Sequence, residues 1–91
     1  MLYTVYILYS KKQNKTYVGF TSNLLQRFKS HNDLGRGFTA RYRPWTIIYC
    51  EYFMEKAAAM KRERELKGGK GRAWIQNKIL VELEHKGFIS A

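Results

Sequence analysis

The stretch Val5–His31, VYILYSKKQNKTYVGFTSNLLQRFKSH, constrains this chain more than any other part of it. It continues a run, LYTVYILY at residues 2–9, that is almost wholly β-branched, aromatic or leucine. Such a composition suits a strand buried on both faces, the central strand of a sheet. KKQNK follows, polar and containing Asn, and predicts a hairpin turn. TYVGF at residues 16–20 is then the returning strand. Glycine weakens a strand by itself, so Gly19 predicts that something approaches the backbone closely there. Thr21 and Ser22 offer a capping hydroxyl for a helix from about residue 23 to about residue 32. Leu24 and Phe28 form its apolar stripe, and Arg27 and His31, one turn apart, stack beside it.

DLGRG ends that helix. A basic loop follows, with Arg36, Arg41 and Arg43 interleaved with Phe38 and Tyr42, and Pro44 closes it. WTIIYCEYFM at residues 45–54 is apolar on both alternating faces and reads as a third covered strand. EKAAAMKRERELK at residues 55–67 has no breaker and reads as a helix with Ala59, Met60 and Leu66 as its apolar stripe. GGKG interrupts it. A last helix over residues 72–86 buries Trp74, Ile75, Ile79, Leu80 and Leu83, and Gly87 stops it. The order is β-β-α-β-α-α, in a chain whose 91 residues predict one domain over residues 1–91.

Charge narrows the partners. Seventeen Lys and Arg face seven Asp and Glu, a formal net charge of +10. A body this small then carries a positive potential over much of its surface, and nucleic acid is the natural polyanion. A membrane partner is not expected, because no basic helix has the bulky apolar face of an interfacial anchor. The apolar runs are far shorter than a membrane span and no signal peptide is visible, so a cytoplasmic location is the default expectation. Cys50 is the single cysteine, so no internal disulfide can form, and it reads as a small strand residue.

A few polar residues stand out. Glu63 lies four after Ala59 and three before Leu66, within the apolar stripe of its helix. A carboxylate there needs a cation or several donors. The partner is either an arginine such as Arg27 or a hard divalent ion sharing water and phosphate oxygens. Tyr6 and Tyr17, on strands joined by a tight turn, either fill the core or converge their hydroxyls on one point. Arg27 and His31 are either a surface pair or a phosphate-facing pair, since a guanidinium forks onto phosphate. Two histidines and one cysteine, far apart, make no zinc site, and GGKGR is too short for a phosphate-cradling loop.

Together these residues resemble the GIY-YIG nuclease superfamily, most closely its small single-domain bacterial, excinuclease-subunit-like members. The first element corresponds to Thr4-Val5-Tyr6 and the second to Tyr17-Val18-Gly19, with Arg27 and His31 following in NLLQRFKSH and Glu63 in KREREL. The resemblance covers nearly the whole chain. Thr4 stands where the family's first motif has glycine, a change compatible with a strand. The resemblance implies an α+β (α/β) fold with a three-stranded, mostly antiparallel sheet flanked by helices. It implies Tyr6 as the general base, His31 or Tyr17 as its helper, and Arg27 as the group that stabilises charge on the phosphate. Glu63 would hold one Mg²⁺ or Mn²⁺, with Asn77 as a loose counterpart of the family's late supporting asparagine. Products would carry 3′-hydroxyl and 5′-phosphate ends.

The expectation is therefore a metal-dependent endonuclease acting on DNA rather than RNA, structure-directed or repair-related. Arg36, Phe38, Arg41, Tyr42 and Arg43 would clamp the strand by charge and stacking, or else form a solvated loop whose aromatics plug the core edge. The alternative is a nucleic-acid-binding module that keeps the fold and cuts nothing. Oligomeric state is left open.

Overall fold

The computed structural model describes residues 1–34 and 38–88, with the backbone alone for Asp33, Leu34, Phe38 and Thr39. Strand β1 is Tyr3–Ser10, buried throughout from Thr4 onward. A strand with no exposed face needs neighbours on both edges and a layer on each side. It has both: β2 (Lys15–Thr21) and β3 (Thr46–Phe53) pair antiparallel with it, in the order β2-β1-β3. The expected central place of the first strand and the α+β class both hold. Asn14 closes the β1–β2 hairpin at φ 52°, a left-handed conformation that Asn tolerates. Its side chain also accepts a 2.9 Å hydrogen bond from the Tyr9 hydroxyl.

Side chains of β1 alternate between two cores. Val5, Ile7 and Tyr9 pack with Val18, Ala59, Leu66, Ile75 and Leu80. Tyr6 and Leu8 pack with Trp45 and the half-buried Tyr17, Leu24, Phe28 and Tyr42. The first cluster is covered by α3 (Lys56–Lys67), α4 (Gly69–Trp74) and α5 (Leu80–His85), the last two joined by a π-helical turn at Ile75–Ile79. The second is covered by α1 (Leu24–Lys29) and its π-helical continuation Ser30–Leu34, after which comes the short α2 (Phe38–Arg41). Among the described residues no helix is long and apolar enough to cross a membrane.

Four local expectations need correction. The cap of α1 is Asn23, whose side chain accepts from the Gln26 N–H, while Thr21 accepts from the N–H of Asn23 itself. The segment expected as a loop contains α2. Met60 is exposed at the edge of the α3 stripe, whose buried members are Ala59 and Leu66. The last helical course begins at Gly69 rather than residue 72, because Gly68 alone takes the extended conformation that breaks α3 from α4.

An ion pair fastens this layer to the sheet. Arg62 on α3 donates to both carboxylate oxygens of Glu51 on β3, at 2.9 Å each for the closest contacts, and its guanidinium lies 5.3 Å from the centre of the Trp74 ring.

Gly71 permits the sharp α3–α4 corner. A Cβ at that position would collide with the Glu65 carbonyl oxygen and the Leu66 Cα. Both are backbone atoms of a packed helix and cannot swing aside. Gly71→Ala is expected to destabilise the fold by about 1–3 kcal/mol. Gly69→Ala, with nothing within 4 Å of its added carbon, should leave stability unchanged or raise it by up to about 1 kcal/mol. Urea or thermal melts of the two variants check the contrast, and equal melting would contradict the packing described.

Candidate active site

Tyr6 and Gly19 are direct partners across the β1–β2 ladder. The Tyr6 side chain is 1% exposed and its ring lies over Gly19. A Cβ at Gly19 would stand 2.5 Å from the Tyr6 hydroxyl and 2.7 Å from Cζ. This is the close approach that a glycine in the strand predicts. The ring thus crosses the edge strand, and its hydroxyl comes out among Tyr17, His31, Arg27 and Glu63.

His31 reaches that point through backbone geometry. Arg27 and His31 both reach the Tyr6 hydroxyl, as their spacing predicts, but at different depths: Arg27 is exposed, while His31, carried on the π-helical turn that starts at Ser30, is 4% exposed. Its Nε2 and the Tyr6 hydroxyl share a 2.9 Å hydrogen bond. The Tyr17 ring meets the imidazole edge-on, centroids 4.7 Å apart. Neighbours hold the turn in place. Arg43 Nε donates to the His31 carbonyl at 3.0 Å. The Asn32 amide donates to the Trp45 carbonyl at 3.2 Å and accepts from the Trp45 N–H at 2.6 Å.

Burial and charge set the protonation of the pair. Burial pushes the Tyr6 phenol up to about 12, against the hydrogen bond and charge of Arg27, while Tyr17 and Glu63 push the same way as burial. Burial, then the charge of Arg27, lowers His31 below its ordinary value. At neutral pH the site therefore holds a protonated phenol against a neutral imidazole. The Arg27 guanidinium interacts with both phenols, most strongly with Tyr6.

Glu63 comes from α3, between the buried Ala59 and Leu66, and its side chain is 19% exposed. Its ion-pair partner is Lys67, one turn on at 3.4 Å, and not Arg27. The Lys67 ammonium also lies 6.0 Å from the centre of the Tyr17 ring. Among the described residues no three His, Cys, Asp or Glu gather as a metal cage. One half-buried carboxylate beside phenols fits a hard divalent ion that draws its remaining ligands from water and phosphate oxygens.

The structure thus brings Tyr6, Tyr17, Arg27, His31 and Glu63 together. Asn77 lies exposed on the second π-helical turn, with no hydrogen bond to Glu63 among the described residues. Arg36 falls outside the described residues, and for Phe38 only the backbone that opens α2 is described. Arg41 is exposed. Tyr42 packs edge-on to Trp45, 6.3 Å between centroids, and Arg43 is spent on His31. The positioning residue Asn32 carries no chemistry of its own and gave no signal in the sequence. Lys67 could have been read from its i,i+4 spacing to Glu63.

Comparison with known proteins places this geometry. Residues 2–78 match the model of the GIY-YIG catalytic domain. The chain is 42% identical over 58 residues to a UPF0213 protein of Staphylococcus haemolyticus, a match covering 62% of this chain and 70% of the relative. It is 37% identical over 67 residues to the structure-specific endonuclease subunit SLX1 of Malassezia globosa, a match covering 68% of this chain but only 15% of that protein. The solution NMR structure of a UPF0213 protein from Bacillus halodurans superposes with a TM-score of 0.53 at 28% identity, over 87% of each chain. With most of its length matched and its paired tyrosines set on facing strands, the chain belongs to the GIY-YIG catalytic domain family.

Proposed function

We propose that the protein is an endonuclease that hydrolyses phosphodiester bonds in DNA with the help of one Mg²⁺ or Mn²⁺. The observation that carries this reading is the 2.9 Å hydrogen bond between the Tyr6 hydroxyl and His31 Nε2, buried beneath Tyr17 and facing Arg27 and Glu63. The structure-specific endonuclease subunits among the relatives support branched, nicked or damaged DNA as substrate.

The steps follow from the protonation states. Neutral His31 accepts the phenol proton of Tyr6, and the charge of Arg27 steadies the phenolate that forms. The Tyr6 oxygen then takes a proton from the water whose oxygen attacks phosphorus. The P–O3′ bond breaks, the 3′ oxygen takes a proton from solvent, and the new end is a 5′-phosphate. Arg27 forks onto the non-bridging oxygens where charge develops. Glu63 is the residue that would hold the metal, which when bound neutralises phosphate and leaving oxygens. Lys67 would release Glu63 as the ion binds.

A plasmid-nicking assay with Mg²⁺ or Mn²⁺ tests the reading. Glu63→Ala is expected to lower nicking by roughly 100-fold or more. Equal residual nicking in wild type and variant would leave a nucleic-acid-binding module and no enzyme.

The pH profile has a definite sign. Below the lowered pKa of His31 the imidazolium cannot accept the phenol proton, so the rate falls in acid. Above it, the proton passes within the Tyr6–His31 pair, whose total proton count does not change, so the rate is level with pH. The logarithm of the single-turnover rate should therefore rise with a slope of about one below the His31 pKa and level off above it, and Tyr6→Phe should abolish this activity. A slope of about one that persists across roughly pH 7 to 9 would mean that His31 is not the acceptor of the phenol proton. Gly19→Ala tests placement alone: the added carbon pushes the Tyr6 hydroxyl aside, and nicking should drop by about 100-fold in a variant whose circular dichroism is unchanged.

A further inference from the structure

The start of β2 and the corner where α3 passes into α4 enclose an open groove of about 580 Å³. Three cations line it, Lys15, Lys67 and Arg72, together with the amides Asn14 and Gln76, and no acidic side chain does. Leu66 and Ile75 form an apolar floor. Tyr17 is common to the groove and the candidate site. Lys67 joins them as well, since it pairs with Glu63 and lies over Tyr17.

We infer that this groove holds the sugar–phosphate backbone of the DNA strand on one side of the phosphate that is cut. The inference rests on the reading that the adjoining site acts on a DNA phosphodiester. A strand crossing Tyr17 enters the groove directly. Lys15 and Arg72 are exposed and have no ion-pair partner among the described residues, so their charge is available to phosphates. Asn14 and Gln76 offer neutral donors at the same rim, and the floor suits the apolar face of a deoxyribose. The basic loop is a poorer track, because Tyr42 packs on Trp45 and Arg43 holds His31.

Binding of a short fluorescein-labelled DNA duplex, followed by anisotropy in EDTA across a salt series, tests the groove without turnover. Lys15→Ala combined with Arg72→Ala should weaken binding about tenfold at moderate salt and reduce the slope of log K against log salt by about 1.5–2. Lys15→Arg with Arg72→Lys should keep both values. Lys78→Ala, which removes an exposed charge paired to Glu82, should leave the slope within about 0.3 of the wild-type value, well under the ~0.9 of one phosphate contact. The inference is overturned if the double alanine variant binds with the wild-type affinity and slope, or if Lys78→Ala costs as much as removing either groove cation. Because no cleavage is read, loss of binding in the double variant would stand even if Glu63→Ala nicked like wild type, and the reverse result would sink the groove alone.

Discussion

The structure turns on an absent methylene. Tyr6 lies across β2 only because Gly19 presents no Cβ beneath its ring. Any other residue at Gly19 would return the phenol to the ordinary place of a strand side chain, above its own strand. Crossing the edge strand instead carries the hydroxyl to the β2 border of the sheet. There α3 supplies Glu63 and the π-helical turn supplies His31. A gap of one carbon thus converts a core tyrosine into a meeting point for residues from three elements. The exclusion costs β2 some intrinsic strand preference, which its seven-residue pairing with β1 offsets.

Burial and charge oppose each other at that meeting point. Burial alone would keep Tyr6 protonated and useless as a base, and it dominates in the resting protein. Arg27 is the counterweight, close enough to act on both phenols yet exposed enough to face a phosphate. Burial holds down the pKa of His31 and the same cation adds to it, which keeps the imidazole neutral and able to accept a proton. One guanidinium therefore favours both the loss of the phenol proton and an empty place for it. Lys67 completes the balance by occupying Glu63, so the carboxylate does not sit beside Tyr6 uncompensated.

The sheet was legible because its signals are local. An uninterrupted apolar run marks a central strand, and KKQNK between two such runs marks a hairpin. Glu63 was legible because a carboxylate in an apolar stripe breaks a pattern. The path of the chain after Lys29 was not. A π-helical turn rests on contacts from Arg43 and Trp45, residues a dozen positions away, and no period in NLLQRFKSH announces it. For the same reason the sequence left open whether Arg43 and Tyr42 meet a strand or close the edge of the core, where Tyr42 is found. Composition shows that a residue can contact phosphate or a base, but not that its own fold already engages it. The α3–α4 corner was misread in the opposite direction. Glycines suggest an interruption, yet Gly71 serves to let a helix begin against the backbone of the one before it.

These contacts divide the site into a rigid part and a yielding part. Tyr6 and His31 are almost wholly buried, and the turn that carries His31 is tied to Trp45, the residue before β3, through the paired Asn32–Trp45 hydrogen bonds. The proton transfer proposed between them would need a fixed short distance, which the buried 2.9 Å contact supplies. Arg27, Lys67, Lys15 and Arg72 are exposed long side chains on the rim. On the proposed function they would meet a flexible polyanion whose phosphates arrive in more than one geometry. A rigid rim would discriminate among backbone conformations, whereas long cations on a fixed floor accept many while presenting each phosphate to the same buried pair. On the proposed function, such a site would meet charge and position first, in keeping with the exposed cations that line its groove.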